Sequence, residues 1–337
     1  MKREIEVADA AYGFTWCETE GKFYLRSTDG DYREVNQNVI ELLRLFAQEK
    51  ITVEKLKNQI DGGEPVLDED SGTSPETVLS LVNEYIESGV LRKNSSIVRL
   101  IPPEDIRLWP RVMIFCLSFL FLLSTALLQI SELQSVLVNP PSVWILVGLI
   151  PVSLVLAGVH ELGHYLTADQ QFESTMSVSL VNGVIPAFVT DTTGSWVLPQ
   201  NRRIWINLAG PFVESLVALP IAVVTWYTHS SIFLSMVVFL SIFHIIISLN
   251  PLIHGDGYWI ICDLFGLVNI RSRGRKAILN RRLSWPAVYV VASHAFATLL
   301  VINGVVIAVY SHGVRAIIFI IPFIVIFALS QTTIEIK

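Results

Sequence analysis

Residues 143–166 read VWILVGLIPVSLVLAGVHELGHYL. About 20 mostly apolar residues cross the hydrocarbon core of a bilayer, so this run predicts a transmembrane helix. Its last turns nevertheless carry His160, Glu161 and His164. On a helix, residues four apart are offset by only about 40°, so both imidazoles leave the same face. A charge at the centre of a spanning helix costs roughly 2.5–3.5 kcal/mol, and Glu161 beside two histidines therefore requires a water-filled cavity or a metal ion. Neutral imidazole nitrogens bind zinc at about 2.0–2.1 Å, and a catalytic zinc keeps three protein ligands and one open position. Glu161, next to the ligands, is then free to take a proton from water. Histidine and carboxylate ligands make zinc the leading choice of metal.

Working outward, further apolar runs lie at 112–130, 204–227, 232–250, 286–310 and 314–329, giving about six expected spans. Arg107 and Arg111, Arg202 and Arg203, and the group Arg271, Arg273, Arg275, Lys276, Arg281 and Arg282 all fall in connections on one side. The opposite connections, 131–142 and 229–231, hold no Lys or Arg, and Arg315 alone is out of place. The positive-inside tendency makes the basic side cytoplasmic, which predicts a multi-pass protein of the cell membrane with both termini in the cytoplasm.

The fourth run ends in NPLIHGDGYW, residues 250–259. In this topology the second and fourth runs both reach the cytoplasmic side at their C-terminal ends, so the two motifs can meet. Asp256 and His254 are chemical rivals for the third zinc position. Asn250 before Pro251 either orients substrate or water, or simply ends the helix. Glu214 and His244 are ionisable residues inside apolar runs and so are further functional candidates. Residues 176–181 and 184–190 are β-prone around Asn182-Gly183, a hairpin pattern at the cytoplasmic mouth. Such a hairpin could hold a substrate as an extended strand. Extension matters because a peptide bond inside a helix is shielded by its own hydrogen bonds.

The whole chain has 337 residues, is 52% hydrophobic and 16% charged, and has a mean hydropathy of +0.54, outside the usual range of soluble domains. That average hides a division: residues 1–106 carry most of the acidic groups, and 107–337 carry the apolar runs. The net charge of −6 offers no basic surface for nucleic acid. Cys17, Cys116 and Cys262 are widely spaced and form neither a disulfide framework nor a CxxC site. Met1 to Val7 is charged and no apolar stretch follows it, so the head is expected to stay on the side where it is made.

Within the head, 22–26 and 32–35 flank a Ser-Thr-Asp-Gly turn as a hairpin. Asn36 can cap a helix through Phe46, and Thr52 precedes a second apolar stripe ending at Ile60. A polar loop over 61–74 leads to a helix that starts at Ser74-Pro75-Glu76 and ends before Gly89. Residues 90–92 and 97–100 could return as strands.

The HELGH pentapeptide in an apolar helix, followed by NPLIHGDGYW, resembles the site-2 protease family of intramembrane zinc metalloproteases, especially its bacterial peptide zinc metalloprotease branch. The similarity extends through Asp263-Leu264-Phe265-Gly266 to Asn269-Ile270-Arg271, and includes Ala209-Gly210-Pro211. It implies Zn2+ held by His160, His164 and Asp256, with Glu161 as general base and with Asn250 and His254 in supporting or substrate-binding places. The head, over Phe14 to Arg99, resembles in its order of elements the PqqD-like winged-helix domain, the RiPP recognition element. That resemblance implies binding of a leader peptide as a strand beside the hairpin.

The expectation is thus a polytopic α-helical membrane protein of about six spans with a small α+β winged-helix-like cytoplasmic head. Its partners would be the lipid bilayer and a peptide or membrane-protein substrate, without nucleic acid. The activity expected is maturation of a ribosomally made peptide precursor. Regulated cleavage of a membrane-spanning signalling protein is the enzymatic alternative. A non-catalytic immunity or export accessory is the other, and it would be indifferent to Glu161→Gln.

Overall fold

A five-stranded sheet and a set of long helices account for most of the described residues. The computed structural model describes residues 1–27, 32–49, 52–54, 58, 75–131, 134, 142–172, 174–181, 185–228, 231–253, 255–267 and 270–312. Two compact units emerge: 1–106 with 170–173 and 192–202, and 107–169 with 174–191 and 203–337.

In the first unit the strands are β1 (Lys2–Gly13), β2 (Thr15–Thr19), β3 (Lys22–Arg26), β4 (Tyr32–Val35) and β5 (Arg92–Ile101), in the spatial order β1-β5-β2-β3-β4. β2 and β5 run parallel, and the other neighbours are antiparallel. Glu20 and Gly21 join β2 to β3 with φ of 53° and 75°. Two positive φ values in a two-residue loop match the right-handed twist of the flanking strands. The expected hairpin, β3 with β4, is present, whereas β1 and β2 were not anticipated. The charges of Lys2, Arg3, Glu4 and Glu6 interrupt the apolar alternation of β1, and its register shifts on both sides of Val7.

Helices α1 (Gln37–Ala47) and α2 (Pro75–Glu87) cover the sheet. Ile40, Leu43 and Phe46 of α1 and Val78 and Val82 of α2 recur at helical spacing and bury themselves against Phe14, Trp16, Leu25 and Ile97. Most of the helix expected after Thr52 and the polar loop at 61–74 lie outside the described residues. Stretch 192–202 belongs to this unit through contacts such as Thr19 Oγ1 donating to the Val197 carbonyl at 2.6 Å.

The second unit is helical: α3 (Trp109–Leu128), α4 (Val143–Asp169), α5 (Gln200–Thr228), α6 (Ile232–Ser248), α7 (Asp256–Phe265), α8 (Ile270–Leu279) and α9 (Trp285–His312). Between α4 and α5 stands the antiparallel pair β6 (Met176–Val181) and β7 (Ile185–Thr190). Among the described residues, three helices are long and apolar enough to cross a membrane: Trp109–Leu128, Val147–Asp169 and Gln200–Thr228. The 17-residue α6 is apolar but short, about 26 Å at 1.5 Å per residue. α9 occupies the fifth expected run, and the sixth, 314–329, lies outside the described residues.

α3, α5 and α6 share a core of Leu122, Leu208, Ala218, Ala222, Val238, Ile242 and Ile245. Small and hydroxylated residues let these helices approach: Ser118 and Ser215 are buried with their Oγ atoms 2.8 Å apart. Leu117, Leu120 and Leu127 of α3 and Ile150, Leu154 and Val155 of α4 face outward and are exposed. Large apolar side chains on the outer faces suit hydrocarbon rather than water.

Candidate metal centre

α4 carries His160, Glu161 and His164, and it lies against the middle of α5. A side-chain carbon on Gly163 would collide with the Ala209 backbone carbonyl, and one on Gly210 would press on the Nε2 atoms of both His160 and His164. Two glycines at one crossing thus let the helices touch, and the absence of a side chain at 210 keeps open the space in front of the imidazoles.

Each histidine is oriented through Nδ1. His160 Nδ1 lies 2.9 Å from Glu214 Oε2, and His164 Nδ1 lies 2.7 Å from the Ile206 carbonyl. A carboxylate and a carbonyl can only accept, so in both rings Nδ1 carries the proton and Nε2 presents a lone pair. Those two Nε2 atoms are 3.2 Å apart. Asp256 closes the set, with Oδ2 at 2.9 Å from His160 Nε2 and Oδ1 at 3.3 Å from His164 Nε2. Among the described residues His160, His164 and Asp256 form one of two groups whose ligand atoms all lie within 4.8 Å.

Three lone-pair groups facing one another repel unless positive charge sits among them, as added protons or as one cation. Ligands about 2.05 Å from a tetrahedral zinc lie about 3.3 Å apart, close to the observed edges. Two imidazoles and one carboxylate are a donor set that zinc accepts, so the residues fit the ion.

Asp256 reaches this place from a different helix. Asn250 and Pro251 end α6; Asn250 Oδ1 accepts from the Leu252 N–H at 2.9 Å, and α7 begins at Asp256. α9 steadies the turn: Tyr289 Oη donates to the Pro251 carbonyl and Ser293 Oγ to the Leu252 carbonyl, each at 2.5 Å. Arg203 and Asn207 of α5 hold Asp263 at 2.7 and 3.2 Å, which ties α7 to the glycine-bearing helix. Ser248 Oγ donates to Asp256 Oδ2 at 2.5 Å. Burial opposes a charge on Asp256, but His164 and His160, when protonated, outweigh it and hold its carboxyl below the usual carboxylate range.

Glu161 stands apart from the three-group cluster. Its Oε2 accepts the Thr190 N–H at 3.0 Å, and its backbone carbonyl accepts the Thr190 hydroxyl at 3.0 Å. The end of β7 therefore lies beside the pentapeptide, and Oε1 accepts from no described residue. Asn250 serves its own turn. His254 lies outside the described residues.

Glu214 and His244 are more closely involved than their types alone announce. Glu214 is 0% exposed and takes His160 Nδ1 on one side and His244 Nδ1, at 2.8 Å, on the other. A wholly buried carboxylate inside an apolar helix needs such partners, and its position was the available signal. Ser248, Thr190 and the Ile206 carbonyl carried no comparable signal, because hydroxyls and backbone atoms are everywhere in a sequence.

No family model matches the chain, and no solved structure gives a significant match. Among curated proteins the chain is similar to the "Putative peptide zinc metalloprotease protein YydH" of Bacillus subtilis (strain 168), with 28% identity over 112 residues, or 32% of this chain and 44% of that protein. The match thus spans less than half of the relative's length.

Proposed function

We propose that this chain is an intramembrane zinc metalloendopeptidase of the site-2 protease type, with His160, His164 and Asp256 as ligands and Glu161 as general base. One observation carries the reading: two Nε2 lone pairs and a carboxylate converge at zinc-like separations while both Nδ1 protons are already committed elsewhere. Similarity to a protein named for peptide zinc metalloprotease activity supports it independently.

A zinc ion in this donor set supplies Lewis acidity toward water and a peptide carbonyl. Glu161, steadied at Oε2 by Thr190, takes the proton of the attacking water at Oε1 and returns it to the departing amine. Glu214 fixes the His160 tautomer, as carboxylate partners of metal-bound histidines do. Asp256 contributes the negative charge that lowers the ion's net charge in an apolar surrounding. An extended peptide laid along β6 and β7 would bring its carbonyl past Glu161, since β7 ends there.

In this reading residues 107–337 form the protease domain, of about six spans, and 1–106 form a PqqD-like head that takes a leader peptide beside β3 and β4. The head and C-terminus lie in the cytoplasm, and the substrate is a ribosomally made peptide precursor. The short edge strand β4 next to a covered sheet is what supports peptide capture.

Metal analysis of the purified full chain tests the assignment. The wild type and Glu161→Gln should hold about one zinc per chain, His160→Ala and Asp256→Ala should lose most of it, and His254→Ala should retain it. Zinc kept by Asp256→Ala and lost by His254→Ala would move the third ligand to His254.

A further inference from the structure

α6 carries a histidine where its composition argues against one. His244 interrupts the run Ile242-Phe243-His244-Ile245-Ile246-Ile247, which is otherwise wholly apolar. An ionisable side chain inside such a helix is costly and is kept where a partner uses it. The partner is Glu214 on α5: His244 Nδ1 lies 2.8 Å from Oε2 and 3.0 Å from Oε1. A carboxylate only accepts, so this ring, like that of His160, carries its proton on Nδ1. The two rings stand side by side, with centroids 5.0 Å apart.

Glu214 thus accepts from two imidazoles, from His160 at 2.9 Å on Oε2 and from His244 on both oxygens. Among the described residues, Oε1 is reached by His244 alone. The carboxylate is wholly buried, and a buried acceptor that loses a donor keeps the cost of desolvation without the bond. The last torsion of a glutamate is broad, so without His244 the carboxylate can turn, and its hold on His160 Nδ1 loosens. One helical turn further along α6, Ser248 donates to Asp256 Oδ2. Residues four apart share a helix face, so one face of α6 steadies two of the three ligands, His160 through Glu214 and Asp256 directly.

We propose that His244 is a positioning residue of the metal centre: by donating to both oxygens of Glu214 it fixes the carboxylate that orients His160, and so tightens the binding of zinc. His244 makes no hydrogen bond to any of the three ligands, so its effect on the metal passes through one carboxylate and vanishes when that carboxylate is absent. The proposal rests on the reading of His160, His164 and Asp256 as zinc ligands.

A double-mutant cycle on the detergent-purified full chain, read as zinc affinity by chelator competition, tests it. His244→Leu, which removes the donor and suits an apolar helix, should weaken zinc binding roughly 10-fold, the lower end of what partners behind metal-bound histidines contribute. His244→Asn, whose side-chain N–H can stand near the Nδ1 position, should recover most of the affinity. In the Glu214→Ala background, His244→Leu should weaken binding no further. Where His244→Leu fails to fold by circular dichroism, His244→Phe, which keeps a ring of similar shape, takes its place in the cycle. Wild-type affinity in the variant without a donor, an equal loss in the Glu214→Ala background, or an Asn variant as weak as Leu overturns the role. No zinc on the wild type would bring down the metal centre itself and this role with it, whereas a zinc-loaded wild type matched by His244→Leu brings down this role alone.

Discussion

Glu214 tests how far the histidines depend on what stands behind them. Glu214→Ala should leave His160 without a partner for Nδ1 and lower zinc affinity by roughly 10- to 100-fold, measured by chelator competition, with Glu214→Gln retaining part of it because an amide oxygen still accepts. A purely structural role would instead show as lost folding with no change in affinity per folded molecule. Gly210→Ala should be harsher, since its methyl would press on both Nε2 atoms. We expect the purified variant to carry little metal while keeping its helical circular dichroism. The convergence of His160 and His164 was legible because a helix repeats every 3.6 residues, which fixes both on one face. Their supporting atoms were not: a backbone carbonyl at Ile206 and a hydroxyl at Ser248 have no sequence signature. The choice between Asp256 and His254 came from a family resemblance rather than from chemistry, since both side chains bind zinc.

Elements bring distant residues to this centre, and β7 is the least expected of them. Thr190→Pro removes the N–H that holds Glu161 Oε2. It should slow cleavage by on the order of 10- to 100-fold while leaving zinc content unchanged, because the ligands are untouched. Unchanged cleavage with the proline in place would release Glu161 from this contact. α9 acts through the turn that precedes Asp256: Tyr289→Phe deletes one hydrogen bond to Pro251 and should destabilise the protein by about 1 kcal/mol, read as a small drop in Tm. The long apolar helices and the pairing of β6 with β7 were readable from hydropathy and β-propensity. β1 was not, because an edge strand wet on one side can carry Lys2, Arg3, Glu4 and Glu6 without penalty, and that composition hides its alternation. β2 was hidden for another reason: it is only five residues long and pairs with β5 across some 80 residues of sequence.

At the scale of the molecule, two compositions have to coexist, an acidic head and an apolar body. In the head Cys17 is buried and burial pushes its thiol up to about 12, so it stays protonated at physiological pH. A maleimide should therefore miss Cys17 in the native protein and modify it after denaturation. With the exposed Cys116 replaced by serine, an added cysteine becomes informative: Glu87→Cys, exposed at the end of α2, should be shielded from an impermeant maleimide in intact cells if the head is cytoplasmic. Labelling from outside would reverse the orientation. The most direct test of the central claim is co-expression of tagged candidate precursor peptides with the wild type or with Glu161→Gln, followed by mass spectrometry of the peptides and zinc analysis of both proteins. The account predicts a new peptide terminus with the wild type alone and about one zinc per chain in both. Identical products from the two proteins, each loaded with zinc, would contradict it.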